Sequence, residues 1–362
     1  MIKVWKTVKL SALVILGLIT TLVISLFFLS PGKTPFFKTK TGEVEKSSVA
    51  EMGYLEIGGI EQFVVERGIS VQNPVLLILH GGPGTTEMPT FREYNEELEK
   101  YFIVIHWDQR GASNSYNSDI PQESMTLEQF IKDTHELTLH LKQKYGKDKI
   151  FLLGHSWGSY LGIKAAAQYP DDYHAYIGTG QMSNQFESER IGYEFALNKA
   201  REFKEAASVK TLKELGMLDK EIRSNEEIIS WVYEQRRFVG QYGGVTYEKS
   251  LTKLFLRALV FCQEYTLSDK LGIFAGSRSS VSKLFPLTLK DDLSQSTPEL
   301  KIPVFFLQGT HDYVTSCTEA KAYFDTLVAP RKKFITFDRS GHSPPFEEPE
   351  KFNKIMIEKV LK

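Results

Sequence analysis

Three short stretches carry residue types that can do chemistry together. Gly154-His155-Ser156-Trp157-Gly158 has the G-x-S-x-G pattern and lies between the apolar run 150–153 and a helical pattern over about 158–168. A serine on so sharp a strand-to-helix turn is exposed at a helix N-terminus, where free N–H groups favour developing negative charge, and it can attack a carbonyl carbon. A serine hydroxyl becomes nucleophilic only when a base takes its proton and an acid orients that base. Asp312 follows the apolar run 303–307, and His342 follows the run 333–338 in Gly341-His342-Ser343. Ser156 as nucleophile, Asp312 as acid and His342 as base therefore fall in the chain order Ser, Asp, His, each just past a strand-like segment. Asp338 is a weaker candidate for the acid, because it would share a strand with the base it must orient.

An acyl-transfer site also needs donors for an oxyanion. His80-Gly81-Gly82-Pro83-Gly84 follows VLLIL at 75–79, and Gly82 is expected to supply one N–H. Trp157, directly after the nucleophile, is expected to supply the other. The remaining histidines carry no comparable pattern. His135 and His140 are five positions apart and do not share a helix face. His106 and His174 fall in or near strands and are expected to be buried neutral groups, while His155 packs beside the elbow and His311 lies on a loop surface. There is no His-Glu-x-x-His and no phosphate-binding glycine loop.

The elements that must position these residues alternate. Apolar runs at 53–57, 60–66, 75–79, 102–107, 150–153, 174–178, 303–307 and 333–338 read as strands, and those at 75–79, 150–153 and 303–307 are apolar on both faces, as covered parallel strands must be. A helix is expected from Thr126, with Gln129 three positions on as in a capping box, to about Gly146. The rhythm breaks between about 183 and 290, where helices with charged faces follow one another. The fold class is thus α/β with a largely parallel sheet, a core of residues 51–182 and 291–362, and a helical cap at 183–290.

The motifs together resemble the proline iminopeptidase family of α/β hydrolases: HGGPG at 80–84, WDQRG at 107–111, GHSWGS at 154–159, the Asp312 loop and GHS at 341–343 stand in that family's order, over roughly residues 53–360. The resemblance implies an α/β-hydrolase fold and a cofactor-free serine hydrolase that removes an N-terminal residue, often proline, from small peptides. It also implies acidic cap residues that bind the substrate's free amine. Glu264 in Phe261-Cys262-Gln263-Glu264-Tyr265 is the nearest match, without the family's His and with Tyr displaced; surface charge is its alternative. WDQRG is followed by Ala112-Ser113-Asn114-Ser115 rather than the family's Gly-x-Ser. Asp108 and Arg110 are expected to pair and brace their loops. Esterase action on small acyl esters uses the same machinery and is the first rival; a surface binding module on the same fold is the second. An Asp-nucleophile hydrolase is disfavoured by Ser156.

Composition bounds the partners. Lys+Arg 44 against Asp+Glu 45 in 362 residues, a net charge of -1 without basic runs, argues against a nucleic-acid footprint. Hydrophobic content of 42% supports a folded core. Two cysteines, Cys262 and Cys317, exclude a disulfide scaffold but leave one bridge open. The run Leu10–Leu29 contains no charged residue; at about 1.5 Å per residue it covers roughly 30 Å, the thickness of a bilayer's hydrocarbon core. Lys3, Lys6 and Lys9 precede it and no small-x-small site follows, so residues 10–30 are expected to be an uncleaved membrane anchor rather than a signal peptide. Residues 31–50 then read as a tether. Lys33, Lys38 and Lys40 nearly balance the lysines before the span, so the charge rule orients it weakly; the large domain is expected outside the cell membrane, acting on a small peptide or ester.

Overall fold

The computed structural model describes residues 2–219 and 224–362, without the side chains of residues 2–10, 12, 19 and 22. Eight strands form one sheet: β1 (Val49–Ile57), β2 (Ile60–Gly68), β3 (Val75–Leu79), β4 (Ile103–Trp107), β5 (Ile150–His155), β6 (Tyr173–Thr179), β7 (Val304–Gly309) and β8 (Lys332–Phe337). Their spatial order is β1-β2-β4-β3-β5-β6-β7-β8. β1 pairs antiparallel with β2, and β2 antiparallel with β4; every later pair is parallel. Each strand-like run of the sequence is a strand here.

The central strands are apolar on both faces because both are covered. Val75, Leu77 and Leu79 of β3 pack in one core with Leu137, Leu141 and Leu161, whereas Leu76 and Ile78 join Phe91, Phe352 and Ile355 on the other side. Alternate residues of one strand thus serve two cores. The covering helices are α2 (Met88–Asn95), α3 (Leu127–Tyr145), α4 (Trp157–Gln168), α12 (Cys317–Thr326), α13 (Pro344–Glu347) and α14 (Pro349–Ile355). Between β6 and β7 the chain is helical: α5 (Gln185–Glu202), α6 (Ala206–Leu215), α7 (Asn225–Gln241), α8 (Leu251–Phe261), α9 (Leu267–Leu271), α10 (Ser277–Thr288) and α11 (Leu293–Ser296).

α3 begins and ends where its sequence says. The Thr126 hydroxyl caps it by accepting from Gln129 N at 3.2 Å, and Gly146 closes it in the left-handed region. Only half of the expected capping box forms: the Gln129 amide donates instead to Asp133 Oδ1 at 2.7 Å.

The N-terminal expectations fare differently. Ile2–Phe28 is a single helix, α1, and most of its described apolar side chains, Leu13, Val14, Ile15, Leu16, Leu18, Val23 and Ile24 among them, are exposed. Among the described residues no helix is long and apolar enough to cross a membrane. Residues 31–50 do not hang as a tether. Pro31 makes a β-bridge to Thr266, Lys33 N donates to Gln263 O at 3.0 Å, and Thr34 is buried. A Pro/Thr/Lys composition predicts irregular backbone, and the backbone is irregular, but Thr34 and the Pro35 carbonyl meet the buried Arg67 guanidinium and tie the segment down.

Candidate active site

Parallel register sets the site. Leu79 at the end of β3 pairs with Gly154 of β5, and His155 pairs with Thr179 at the end of β6. The His80–Gly84 loop, the elbow and the turn after β6 therefore leave the sheet side by side. Gly309 pairs with Phe337, which brings the loops after β7 and β8 together in the same way. Ligands of open α/β sheets meet this carboxyl edge.

At the elbow Ser156 holds φ 54° and ψ -121°, a left-handed conformation that a residue with a side chain adopts at a cost. The turn is tight enough that a Cβ at Gly158 would meet the Leu79 carbonyl oxygen at 2.0 Å. That approach explains why the pattern needs glycine there.

His342 Nδ1 lies 3.0 Å from Asp312 Oδ2. Facing a carboxylate, Nδ1 is the protonated nitrogen and donates, which leaves the basic lone pair on Nε2. Asp312 is fully enclosed by donors: Val314 N at 2.8 Å, Thr315 N at 3.0 Å, the Thr315 hydroxyl at 2.8 Å and Gln308 Nε2 at 2.7 Å. Burial alone would raise its pKa, but the His342 ring and these donors outweigh burial and hold it at about 2. Burial pushes His342 below its ordinary value despite Asp312, and the neighbouring His155 adds to the effect. The ring is thus an unprotonated base at neutral pH.

Ser156 and His342 line one cavity of about 590 Å³ with Gly82, Glu87, His155, Leu254, Phe255, Leu259 and Phe274. Gly82, at φ 110°, is among its walls, and Trp157 is the first residue of α4, where helix amides have no intrahelical acceptor. The Trp157 ring is buried and donates to Gln109 Oε1 at 3.1 Å. Gln109 N donates to His80 Nε2 at 3.0 Å, and its amide donates to His80 O at 3.1 Å. The WDQRG segment therefore clamps the glycine loop to the elbow. Burial lowers the His80 pKa, so the ring is neutral and its Nδ1–H donates to Gly81 O at 2.8 Å.

A second pair in the cavity escaped the sequence. Glu87 Oε1 is 2.6 Å from His155 Nδ1, Glu87 Oε2 accepts from Gly81 N at 3.0 Å, and His155 Nε2 reaches His342 O at 3.0 Å. Burial disfavours a charged His155, but the Glu87 carboxylate outweighs it and raises the pKa; Glu87 is lowered in return. Nothing in the sequence marks Glu87, since it follows a loop whose path only the fold reveals.

Several expectations change. Asp108 and Arg110 do not pair. Arg110 Nε meets Asp133 Oδ2 at 2.8 Å, whereas Asp108 accepts from the Tyr265 hydroxyl at 2.7 Å and Asn114 N at 3.3 Å. The two side chains of this turn point apart, and each takes the partner on its own side. Burial raises Asp108 to about 6 against its donors. Glu264 is not a surface charge and does not line the Ser156 cavity: it is buried, accepts from Arg92 Nε at 3.0 Å and Thr34 Oγ1 at 3.1 Å, and lines a separate cavity with Phe28 and Pro31. His106 is buried and held neutral, its pKa pushed by burial to about 3, but His174 is exposed. His311 stacks on the Tyr247 ring at 3.8 Å, and Asp338 is exposed. Both cysteines are free. Among the described residues no group of His, Cys, Asp and Glu could hold a metal ion.

The model of the alpha/beta hydrolase fold matches residues 74–225. The probable aminopeptidase YbaC of Bacillus subtilis is 35% identical over 310 residues, covering 85% of this chain and 95% of its own. A proline iminopeptidase of Saccharolobus solfataricus is 25% identical, over 85% and 91% of the two chains. The crystal structure of a proline iminopeptidase-related protein from Thermus thermophilus superposes with a TM-score of 0.60 at 19% identity, over 84% and 95% of the chains. With the sheet order, the glycine loop and the elbow in place, the chain belongs to the α/β hydrolases, in their proline iminopeptidase-like family.

Proposed function

We propose that the protein is a serine hydrolase of the aminopeptidase type that releases N-terminal residues from small peptides through an acyl-enzyme. The observation that carries this is the His342–Asp312 pair sharing one cavity with a strained Ser156. In this reading Ser156 Oγ attacks the carbonyl carbon while His342 Nε2 takes its proton. Asp312 holds the ring and stabilises the imidazolium that forms. The Gly82 and Trp157 amides hold the oxyanion, His342 returns the proton to the leaving amine, and water then cleaves the acyl-enzyme by the same route. The relatives' printed names supply the aminopeptidase direction.

Esterase action is the second reading, and the lining favours it. Leu251, Leu254, Phe255, Leu259 and Phe274 are apolar, and the charged Glu87 and His155 neutralise each other. Hydrolysis of prolyl, alanyl and amine-blocked prolyl anilides should be compared with that of a short-chain acyl ester, with Ser156→Ala as control. Cleavage of the prolyl anilide that is lost on blocking the amine supports the aminopeptidase. Ester cleavage alone moves the protein to the second reading, and no turnover of any substrate sinks both.

Membrane anchoring through residues 10–30, with the large domain outside the cell membrane, belongs to the same proposal. The charge-free run Leu10–Leu29 and the exposed apolar side chains of α1 support it. Release of the full chain from membranes by alkaline carbonate would refute it.

A further inference from the structure

The mouth of the Ser156 cavity is apolar on its outside as well as its inside. Leu256 on α8 and Phe274 just beyond α9 line the cavity, yet they are 56% and 60% exposed. Phe261, which ends α8, and Leu271, which ends α9, extend the surface at 53% and 81% exposed. A single exposed leucine means little, but four exposed apolar side chains on neighbouring elements beside one site, two of them in the cavity wall, mark an interaction surface.

The chain itself indicates what covers it. α1 leaves the protein at the edge of this patch: Phe28 and Leu29 line a cavity of about 560 Å³ with Arg257, Ala258 and Phe261 of α8. Lys270 of α9 donates to Leu29 O at 3.0 Å, and Pro31 bridges Thr266. The apolar side chains of α1 and those of the cap rim are therefore adjoining surfaces held in a fixed relation. Lys253 stands exposed on the same part of the cap, and Arg257 beside it is paired with Glu93 at 2.6 Å. An exposed apolar surface that continues into the apolar side chains of α1, with a lysine beside it, suits a bilayer interface.

We propose that the α8–α9 face of the cap rests on a phospholipid bilayer, with Leu256, Phe261, Leu271 and Phe274 in the interface, so that the Ser156 cavity opens onto lipid and admits amphiphilic substrates from it. The proposal rests in part on the reading of α1 as a membrane anchor. It differs from that reading because a tethered domain could equally stand clear of the surface.

The test uses the full chain reconstituted in vesicles of phosphatidylcholine and phosphatidylglycerol, with brominated lipid as quencher. Phe274→Trp is compared with Tyr233→Trp, an exposed position on α7, and both with the wild type. Docking predicts quenching of the Phe274→Trp signal beyond the wild-type background and none for Tyr233→Trp. Chains that float with the vesicles while Phe274→Trp stays unquenched overturn the docking face and leave the anchor standing. Chains that fail to float with the vesicles refute the anchor and the docking face together. A blue-shifted but unquenched Phe274→Trp in a dimeric sample assigns the face to a second copy and overturns the proposal. A kinetic arm uses Leu271→Asp, which lies outside the cavity wall. Hydrolysis of a short soluble ester should stay unchanged, while hydrolysis of a long-chain acyl substrate embedded in the vesicles should fall by about fivefold or more. Equal loss on both substrates overturns the proposal. The quenching arm needs no turnover, so it stands apart from the fate of the hydrolase reading.

Discussion

In the proposed function Ser156 is the nucleophile, and it also holds a positive φ; the two can be separated by substitution. Ser156→Ala should abolish hydrolysis with the fold intact. Ser156→Gly should be equally inactive but more stable than Ser156→Ala by about 1 kcal/mol, because glycine adopts φ 54° without strain; paired thermal melts and rate assays check both. Asp312→Asn keeps the shape but loses the charge that orients the His342 ring, so kcat should fall by about 10⁴-fold with KM little changed. Because burial holds His342 below 6.5, the acidic limb of the rate profile should lie below pH 6.5. Asp108 gives the opposite sign. Its pKa rises from 3.8 to about 6 on folding, so its contribution to stability is full below 3.8 and is lost as pH climbs through 6. Between pH 4 and pH 7 the wild type should therefore lose about 2 kcal/mol relative to Asp108→Asn, measurable by denaturant titration at the two pH values.

At the scale of elements, the site is a consequence of where strands stop. β3, β5 and β6 end beside one another, and so do β7 and β8, so residues more than 150 positions apart in sequence meet at one edge. The loops at that edge are then locked by neighbours. Gln109 joins His80 to the Trp157 ring, and Arg110 is spent on Asp133 and the Gly58 carbonyl instead of on its near neighbour Asp108. Glu264 makes the same point in the cap. The resemblance suggests an amine ligand, but the side chain is buried against Arg92 and the N-terminal segment. Glu264→Gln should accordingly cost about 3 kcal/mol of stability, as loss of one partner of a buried pair does, and leave KM for an anilide substrate within about twofold. A large KM effect without a stability effect would return Glu264 to the substrate.

For the molecule as a whole, core, cap and N-terminal segment are one connected body. Arg67 on β2 meets Glu99 and Thr34, and Arg92 on α2 meets Glu99 and Glu264, so one buried ionic cluster joins sheet, α2, the α8–α9 connection and residues 34–35. Removing residues 1–28 would leave this cluster whole, whereas removing residues 1–40 would strip Arg67 of Thr34 and the Pro35 carbonyl. The longer truncation should therefore lower the melting temperature and the shorter one should not.

Read by itself, the amino-acid order determined a great deal here, for a local reason. Two-sided apolar runs read as covered strands, the elbow needs nothing beyond its own five residues and their flanks, and Asp312 and His342 are recognisable because the first follows such a run and the second follows the last strand-like run. The eight strands, α3, α4 and the helical stretch between β6 and β7 are all visible this way. What tertiary structure decided is every pairing across long separation: His155 with Glu87, Arg110 with Asp133, Asp108 with Tyr265, and Glu264 with Arg92. The packing of residues 31–50 against the cap belongs with them. A charged side chain in a sequence has many possible partners, and burial selects one by the desolvation cost of leaving it unpaired, a cost that exists only once the chain has folded around it.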